Sequence, residues 1–337
     1  MAYFLAGPIA RGLIQGRIVR SLALVAVAIA PLMAGTATAQ TYPSKSIKLI
    51  VPYSAGGASD ISARQVAAKL EKVLGQSVIV ENMPTAAGVV AFGAAAKAPA
   101  DGYTLLFTPA SLIITKAIRK DAPYEPLNDF VPITLLLEMQ SVMTVRPGLP
   151  ANNIKELVDL AKKQKGQLTY AALGNGSEPH LIMEMFKSAA QIDIQMVPYK
   201  ITPTIYTDMI ADRIDMMLAL MPSALPQIKG GKLRGLGVSG PQRSPALPDT
   251  PTIREAGVPF AQSFWFGLMA PKGTPADVIE KLHAAAQKAI DDPEVKAWAL
   301  SAGAEMRGST SAELAARLRD QTAVWTKLVT DLGLKAE

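Results

Sequence analysis

The chain has 337 residues, 34 lysines and arginines against 28 acids, and no cysteine. Disulfides, thiolate catalysis, cysteine-held metals and a lipid-modified N-terminal cysteine are therefore excluded. Residues 1–40 hold three arginines and no acid, so beyond them basic residues fall from 34 to 31 against 28 acids, and the charge that would suggest nucleic acid largely disappears.

In residues 1–40, Arg11, Arg17 and Arg20 precede a short apolar stretch over 21–34, and Ala37-Thr38-Ala39 ends it as a small-x-small cleavage site. This pattern predicts a secretory signal peptide cut after Ala39 and an exported mature chain. The apolar run is too short for a membrane span, and no later segment approaches eighteen uninterrupted apolar residues. A mature chain of this size without disulfides relies on apolar burial and suits two modest domains.

Residues 47–64, IKLIVPYSAGGASDISAR, are the stretch around which the rest is organised. The run 47–51 predicts a buried strand, and Pro52 with Gly56-Gly57 breaks it. From Ser59 onward, Ala63, Val66, Ala67, Leu70 and Leu74 recur at helical spacing. A strand, a glycine turn and a helix start present free backbone N–H groups and the positive end of a helix dipole, which suit a carboxylate or phosphate. The dinucleotide spacing G-x-G-x-x-G and the P-loop ending are both absent, which disfavours a nucleotide. An ordinary tight connection between strand and helix would have the same pattern.

Further along, residues 77–80 predict a strand, 86–98 an alanine-rich helix interrupted by Gly88 and Gly93, and 103–107 a strand after the Asp101-Gly102 turn. Thr108-Pro109-Ala110-Ser111 then joins residues 53–59 at one rim. Strands alternating with amphipathic helices argue for a parallel, doubly wound sheet, with ligands beyond the carboxyl ends of its strands. The pattern restarts with strands at 133–137 and 142–145. A helix marked by Ile154, Leu157, Val158 and Ala161 and a strand at 168–171 lead to a second glycine turn over 173–177. There Ser177 caps a helix that Pro179 opens. Strands follow at 194–197, 214–218 and 233–238, then a proline-rich surface strap over 240–259 and a strand at 264–270. Helices at 276–290, 294–301 and 311–332 end the chain. Crossings between two lobes are expected near 138–141 and 262–265.

Few residues offer chemistry. The two histidines predict supporting roles, His283 at the surface or in packing and His180 in bonding loop backbone. G-x-S-x-G, S-x-x-K and H-E-x-x-H are all missing. An exported hydrolase would have to use Ser59 or Ser177 with His180, and Asp60 at a helix start suits backbone donors better than proton transfer. Asp212 and Asp215 flank Arg213 as solvated charges, Met216, Met217 and Met221 suit core packing or an adaptable pocket, and Tyr53, Tyr199 and Trp265 fall at lobe edges.

Several phrases together resemble one family: YPSKSIKLIVPYSAGGASDISAR, DGYTLLFTP, GNGSEPHL, VPYK, GGKLRGLGVSGPQRSPALPDTPTIREAGVP, and GLMAPKGTP shortly after Trp265. The chain is similar in this order, over essentially all of its mature length, to the Bug (Bordetella uptake gene) family, the extracytoplasmic solute receptors of tripartite tricarboxylate transporters. The resemblance implies an α/β type II periplasmic binding protein fold of two lobes, each a mainly parallel sheet flanked by helices, with a ligand cleft between them. The lobes would be residues 41–140 with 264–337, and 141–263. It also implies a small organic carboxylate ligand, delivery to membrane permease subunits, no catalysis, no cofactor or metal, no nucleic acid, and a monomer by default. A periplasmic sensor for a signalling receptor is the alternative.

In the family, two opposed loops hold one carboxylate with backbone amides and waters; they match residues 53–60 and 173–177 here. The match carries over for Gly56, Gly57, Asp60, Gly174, Gly176, Ser177 and His180, while Ser59 stands where threonine is common. The candidate ligand-binding residues are thus Tyr53, Ala55, Gly56, Gly57, Ser59, Asp60, Thr108, Ser111, Gly174, Asn175, Gly176, Ser177, Tyr199 and Asp215. Two departures from the family's pattern are expected near the second-lobe face of the cleft: Ile201 after VPYK, and Ala211-Asp212 where Gly-Gly is common.

Overall fold

The run IKLIV forms β1 (Ile47–Val51). In the computed structural model, which describes residues 42–84, 88–331 and 333–334, β1 pairs in parallel with a strand on each side. After the glycine turn, α1 (Ala58–Leu74) buries Ala63, Val66, Ala67 and Leu70, an apolar stripe at helical spacing. Two more strand–helix units follow: β2 (Val78–Asn82) with α2 (Val89–Ala96), and β3 (Thr104–Thr108) with α3 (Ser111–Ile118). β4 (Phe130–Met139), β10 (Phe264–Pro271) and β11 (Ala304–Met306) complete a six-stranded sheet in the order β11-β4-β10-β3-β1-β2.

A second sheet holds β5 (Ser141–Val145), β6 (Thr169–Ala172), β7 (Gln195–Pro198), β8 (Met216–Leu220) and β9 (Arg234–Val238), in the order β7-β6-β8-β5-β9. Between these strands run α4 (Ile154–Lys163), α5 (Glu178–Ala190), α6 (Thr202–Ile210) and α7 (Met221–Lys229). Residues 240–263 form an irregular strap on this sheet, held by a bridge between Val238 and Thr252 and by the Gln262 N–H on the Ser239 carbonyl. The chain then returns through β10, and α8 (Ala276–Asp291), α9 (Pro293–Ser301) and α10 (Ser311–Asp331) close it, with α8 and α10 against β4. Lys45–Glu337 is one contact unit and contains both sheets.

Strand direction corrects the expectation of mainly parallel sheets. Five of the nine strand pairings are antiparallel. The reversed strands include β5 and β10, each of which receives the chain directly from the other sheet. Only Gln140 separates β4 from β5. A strand that enters from the facing rim runs away from that rim, whereas strands delivered by helical crossovers run toward it. The carboxyl ends of β1, β3, β6 and β8 therefore converge at one place.

Strand β10 is buried along its whole length, as a central strand covered on both faces should be. Its Phe266 stacks on Phe107 of β3 with ring centroids 5.0 Å apart, a pairing that contributes about 0.5–1.5 kcal/mol beyond burial. The second lobe packs Tyr206, Met209, Met217, Met221 and Leu225 into its own core.

Helices α3, α6 and α7 are not evident from periodicity. SLIITKAI is buried over Ser111–Thr115 and so shows no polar face; α6 and α7 carry prolines in their first turns, and α7 a second at Pro226. Part of the predicted helix 86–98 and the whole segment expected to be a signal peptide lie outside the described residues. Among the described residues, no helix is long and apolar enough to cross a membrane.

Candidate functional site

The carboxyl ends of the crossover-fed strands meet around a cavity of about 30 Å³, walled from the first lobe by Tyr53, Gly57, Ala58, Ser59, Pro109, Phe264 and Phe266. Leu173, Glu178, Pro179, Thr202, Met217, Leu218, Leu220 and Ser223 wall it from the second. About two waters would fill that volume.

On the first side, Gly57 is the N-cap of α1 and no side chain caps it. The Ile61 N–H closes the first turn on the Gly57 carbonyl at 3.0 Å, so the Ala58 and Ser59 amides precede the helical ladder. Both residues are buried and line the cavity. Asp60 instead braces the turn, since its carboxylate accepts the Gly56 N–H and the Arg64 Nε–H, each at 2.9 Å. Burial works to raise this carboxyl, but the bonds from Arg64, Gly56 and Asn82 outweigh it and hold it below the usual range. Ala55 and Gly56 are exposed on the turn's outer side.

Tyr53 is buried at the mouth of the same turn, and its hydroxyl makes no hydrogen bond among the described residues. The Ser111 hydroxyl, also without a bond by geometry, is near enough to ease the upward push that burial and Glu178 exert on the phenol. Thr108 is fully buried below the rim and bonds the Pro109 carbonyl at 3.0 Å.

The second glycine turn is engaged within itself. Gly174 and Gly176 take positive φ of 87° and 75°. The Ser177 N–H bonds the Gly174 carbonyl, and the Gly176 N–H donates to His180 Nδ1 at 3.0 Å. The Ser177 hydroxyl caps α5 by accepting the His180 N–H. Burial, with Lys187 adding to it and Glu184 opposing, holds the His180 pKa below its ordinary value. This is the supporting role expected of His180. His283 bonds the Ser309 carbonyl at 2.9 Å. Gly176 packs on Ile118 of the first lobe, and with Gly174, half-buried Asn175 and Ser177 it stands off the cavity wall.

At the ends of this loop Leu173, Glu178 and Pro179 reach the cavity wall, and of these Glu178, inside the phrase GNGSEPHL, is not among the expected site residues. Its carboxyl crosses to the first lobe and accepts the Ser111 and Ala110 amides at the start of α3; burial nevertheless pushes it up to about 8. A second bridge joins the lobes nearby, where the Thr202 N–H meets Ser54 Oγ at 3.4 Å. Glu178 and Thr202 lie in short segments whose approach to residues over sixty positions away carries no local signal.

Two predicted residues lie elsewhere. The Asp215 carboxylate accepts Arg146 Nε–H and the Thr169 N–H, each at 2.8 Å, and the Thr169 hydroxyl. These groups sit where β6 and β8 start and the antiparallel β5 ends, whereas the cavity lies at the carboxyl ends of β6 and β8, so the placement of Asp215 in the site is corrected. Tyr199 packs against the second-lobe core and donates its hydroxyl to Asp208 at 2.7 Å; burial and then Asp208 push its phenol up to about 12. Trp265 turns away from its cavity-lining neighbours Phe264 and Phe266, and donates Nε1–H to Gln321 at 2.8 Å.

The departures also move. Ile201 is 46 % exposed and off the cavity wall, which Thr202 supplies instead. Asp212 adopts φ of 57° and pairs with Arg146 beside Asp215, which explains a preference for glycine there and places it away from the cleft. Met217 lines the cavity while Met216 and Met221 are buried in packing. Among the described residues no cluster of histidine, aspartate and glutamate comes together to hold a metal ion.

With this geometry in place, comparison with known proteins is informative. The family model for the tripartite tricarboxylate transporter family receptor matches residues 62–334. The solved periplasmic binding protein BugD is 32 % identical and covers 88 % of this chain and all of its own length, with a TM-score of 0.84. R. palustris Rpa4515, solved with adipate, is 29 % identical, covers 87 % of this chain and 99 % of its own, and has a TM-score of 0.84. MatC (Rpa3494) from Rhodopseudomonas palustris, solved with malate, is 29 % identical and covers 86 % and 100 %, with a TM-score of 0.80. The neighbouring solved structures are two-lobed periplasmic binding proteins, solute receptors by their descriptions, and this chain shares their α/β architecture.

Proposed function

Because the chain belongs to the tripartite tricarboxylate transporter receptor family, we propose that it captures a small organic carboxylate in the cleft between its two sheets and delivers it to the membrane subunits of such a transporter. The observation that carries this reading is the pair of buried Ala58 and Ser59 amides at the uncapped start of α1, beside a cavity whose wall has no basic side chain. Amides of this kind bind an anion with little ordering cost, and each hydrogen bond to a charged acceptor contributes about 1.5–3 kcal/mol. Two or three of them with apolar contacts reach micromolar affinity, about −8 kcal/mol. Adipate and malate in solved relatives support the same class.

The lobes of this reading are residues 41–140 with 264–337 and residues 141–263, hinged at Gln140 and near residue 263. A ligand larger than the present cavity enters by separation of the two rims, and closure creates the surface that the permease reads. The ligand-binding set is Tyr53, Gly57, Ser59 and the turn around them. The protein works as a monomer without catalysis, and it acts in the periplasm after removal of the signal peptide.

The test is a thermal-shift screen of residues 41–337 against mono-, di- and tricarboxylates, acidic amino acids, aromatic acids, and neutral and cationic solutes. A ligand that binds only the folded chain raises its stability by about 2.7 kcal/mol at a hundredfold excess over Kd. The expected hits are confined to carboxylates. A clear shift from a neutral or cationic solute alone would overturn the reading.

A further inference from the structure

The first-lobe wall of the cavity carries a hydroxyl that bonds nothing. Tyr53 follows β1 after a single proline, is 9 % exposed and lines the cavity. Its hydroxyl is buried and has no hydrogen-bond partner among the described residues. On the facing wall the Ser223 hydroxyl is already engaged, with the Tyr206 hydroxyl at 2.7 Å and the Leu220 carbonyl at 3.1 Å. Much of the remaining wall is apolar, including Phe264, Phe266, Leu173 and Met217.

The place of Tyr53 relative to the start of α1 is fixed. Asn82 Nδ2–H donates to the Tyr53 carbonyl at 2.9 Å, and Asn82 Oδ1 accepts from Arg64 Nη2–H at 3.1 Å. Arg64 also holds Asp60, which holds the Gly56 N–H. One network thus anchors both Tyr53 and the glycine turn. A ligand meets the Ala58 and Ser59 amides and the wall at Tyr53 with a spacing that the protein sets in advance.

We propose that Tyr53 is a specificity-determining residue of this cleft: its hydroxyl pairs with a hydroxyl of the ligand, and so selects hydroxy carboxylates over acids whose carbon chain is bare. The inference rests on the carboxylate reading above and narrows it. A phenol both donates and accepts, and so does an alcohol, so the two complement each other with no charge on either. A bare acid would seal the phenol against methylene groups and leave it unpaired, which costs free energy that a hydroxy acid does not lose. Sites that bond a ligand hydroxyl reject the analogue lacking it far more strongly than apolar pockets reject a missing methylene. Ser111 is a second buried hydroxyl without a bond, but it opens α3 off the cavity wall, so the group within reach of a ligand is that of Tyr53.

Isothermal titration calorimetry with chain-matched acids tests this. The probes are propanoate with lactate, butanoate with its 2-, 3- and 4-hydroxy acids, and succinate with malate. In at least one matched pair the wild-type chain is expected to bind the hydroxy acid at least about tenfold more tightly than the bare acid. Tyr53→Phe keeps the ring and should lower the hydroxy acid to the affinity of the bare acid, whose own affinity stays or rises. Ser111→Ala should leave the preference intact. Without ligand, Tyr53→Phe should melt no earlier than wild type, because the hydroxyl it removes has no bond to lose.

Equal affinities in every pair overturn the proposal, and so does a preference that survives Tyr53→Phe or disappears in Ser111→Ala. A clear fall in the melting point of ligand-free Tyr53→Phe also overturns it, since the phenol would then serve the fold. Binding confined to carboxylates outside these pairs defeats the proposal and leaves the carboxylate reading standing. Binding of a neutral or cationic solute alone defeats both.

Discussion

The Asp60 carboxylate accepts the Gly56 N–H at 2.9 Å, so an acid in the first turn of α1 holds the glycine turn that precedes its own helix. Gly56 is held at φ of 76°, a region that a side chain rarely adopts, and Arg64 braces the same carboxylate one helical turn further on. The turn that exposes the Ala58 and Ser59 amides is thus shaped by a side chain that need not touch the ligand.

Asp60→Ala should therefore loosen the turn. Its expected cost is about 1–3 kcal/mol of stability from the orphaned Gly56 amide, with ligand affinity weakened about tenfold. Urea melts and calorimetry on the same preparation would check both. Full affinity in the variant would mean that the turn keeps its shape without this bond.

Gly57 is a sharper probe. A Cβ there would stand 3.3 Å from both the Ser54 carbonyl and Thr202 Oγ1, so even alanine crowds the approach of the lobes. Gly57→Asp adds a negative charge at the anion site and should abolish binding of the ligand found in the screen, whereas Gly57→Ala should only weaken it. Equal losses in the two variants would attribute the effect to bulk rather than charge.

Glu178 predicts a pH dependence of stability with a definite sign. Its carboxyl is pushed up to about 8 in the folded chain from an ordinary 4.5. Burial is the cause, the two amide bonds oppose it, and Tyr53, the other titratable group on the wall, is pushed up as well. Between these two values the folded state holds more protons than the unfolded state. Stability from this group is complete below about 4.5, falls by up to about 1.4 kcal/mol per pH unit as pH rises, and levels off above about 8. Glu178→Gln should lose that slope. Parallel melts of the two chains from acid to mildly alkaline pH would show it, and superimposable profiles would exclude a buried neutral acid.

Asp215 separates stability from binding. It gathers Arg146 and Thr169 at the far end of β6 and β8. Asp215→Ala should cost about 1–3 kcal/mol by leaving these donors unpaired and leave ligand affinity unchanged. A large loss of affinity without a loss of stability would return Asp215 to the site.

Much of the fold was legible because its signals are local. The β1 run, the glycine turn and the α1 stripe follow within thirty residues, and Ser177 with Pro179 marks the start of α5 with a cap and a proline. Helix α3 was not legible, because burial over Ser111–Thr115 removes the polar face that periodicity needs. Asp215 was misplaced for a related reason: a charge next to a strand shows that the strand begins or ends there, not which rim it serves.

By itself the sequence determined two α/β series, each with a glycine turn at a helix start, since apolar spacing, caps and breakers act over a few residues. Only the tertiary structure decided which donors remain available. The second turn's amides are taken by Gly174 and His180, and those of α3 by Glu178. Positions 110 and 178 meet solely because two sheets, joined through reversed strands, bring their rims face to face.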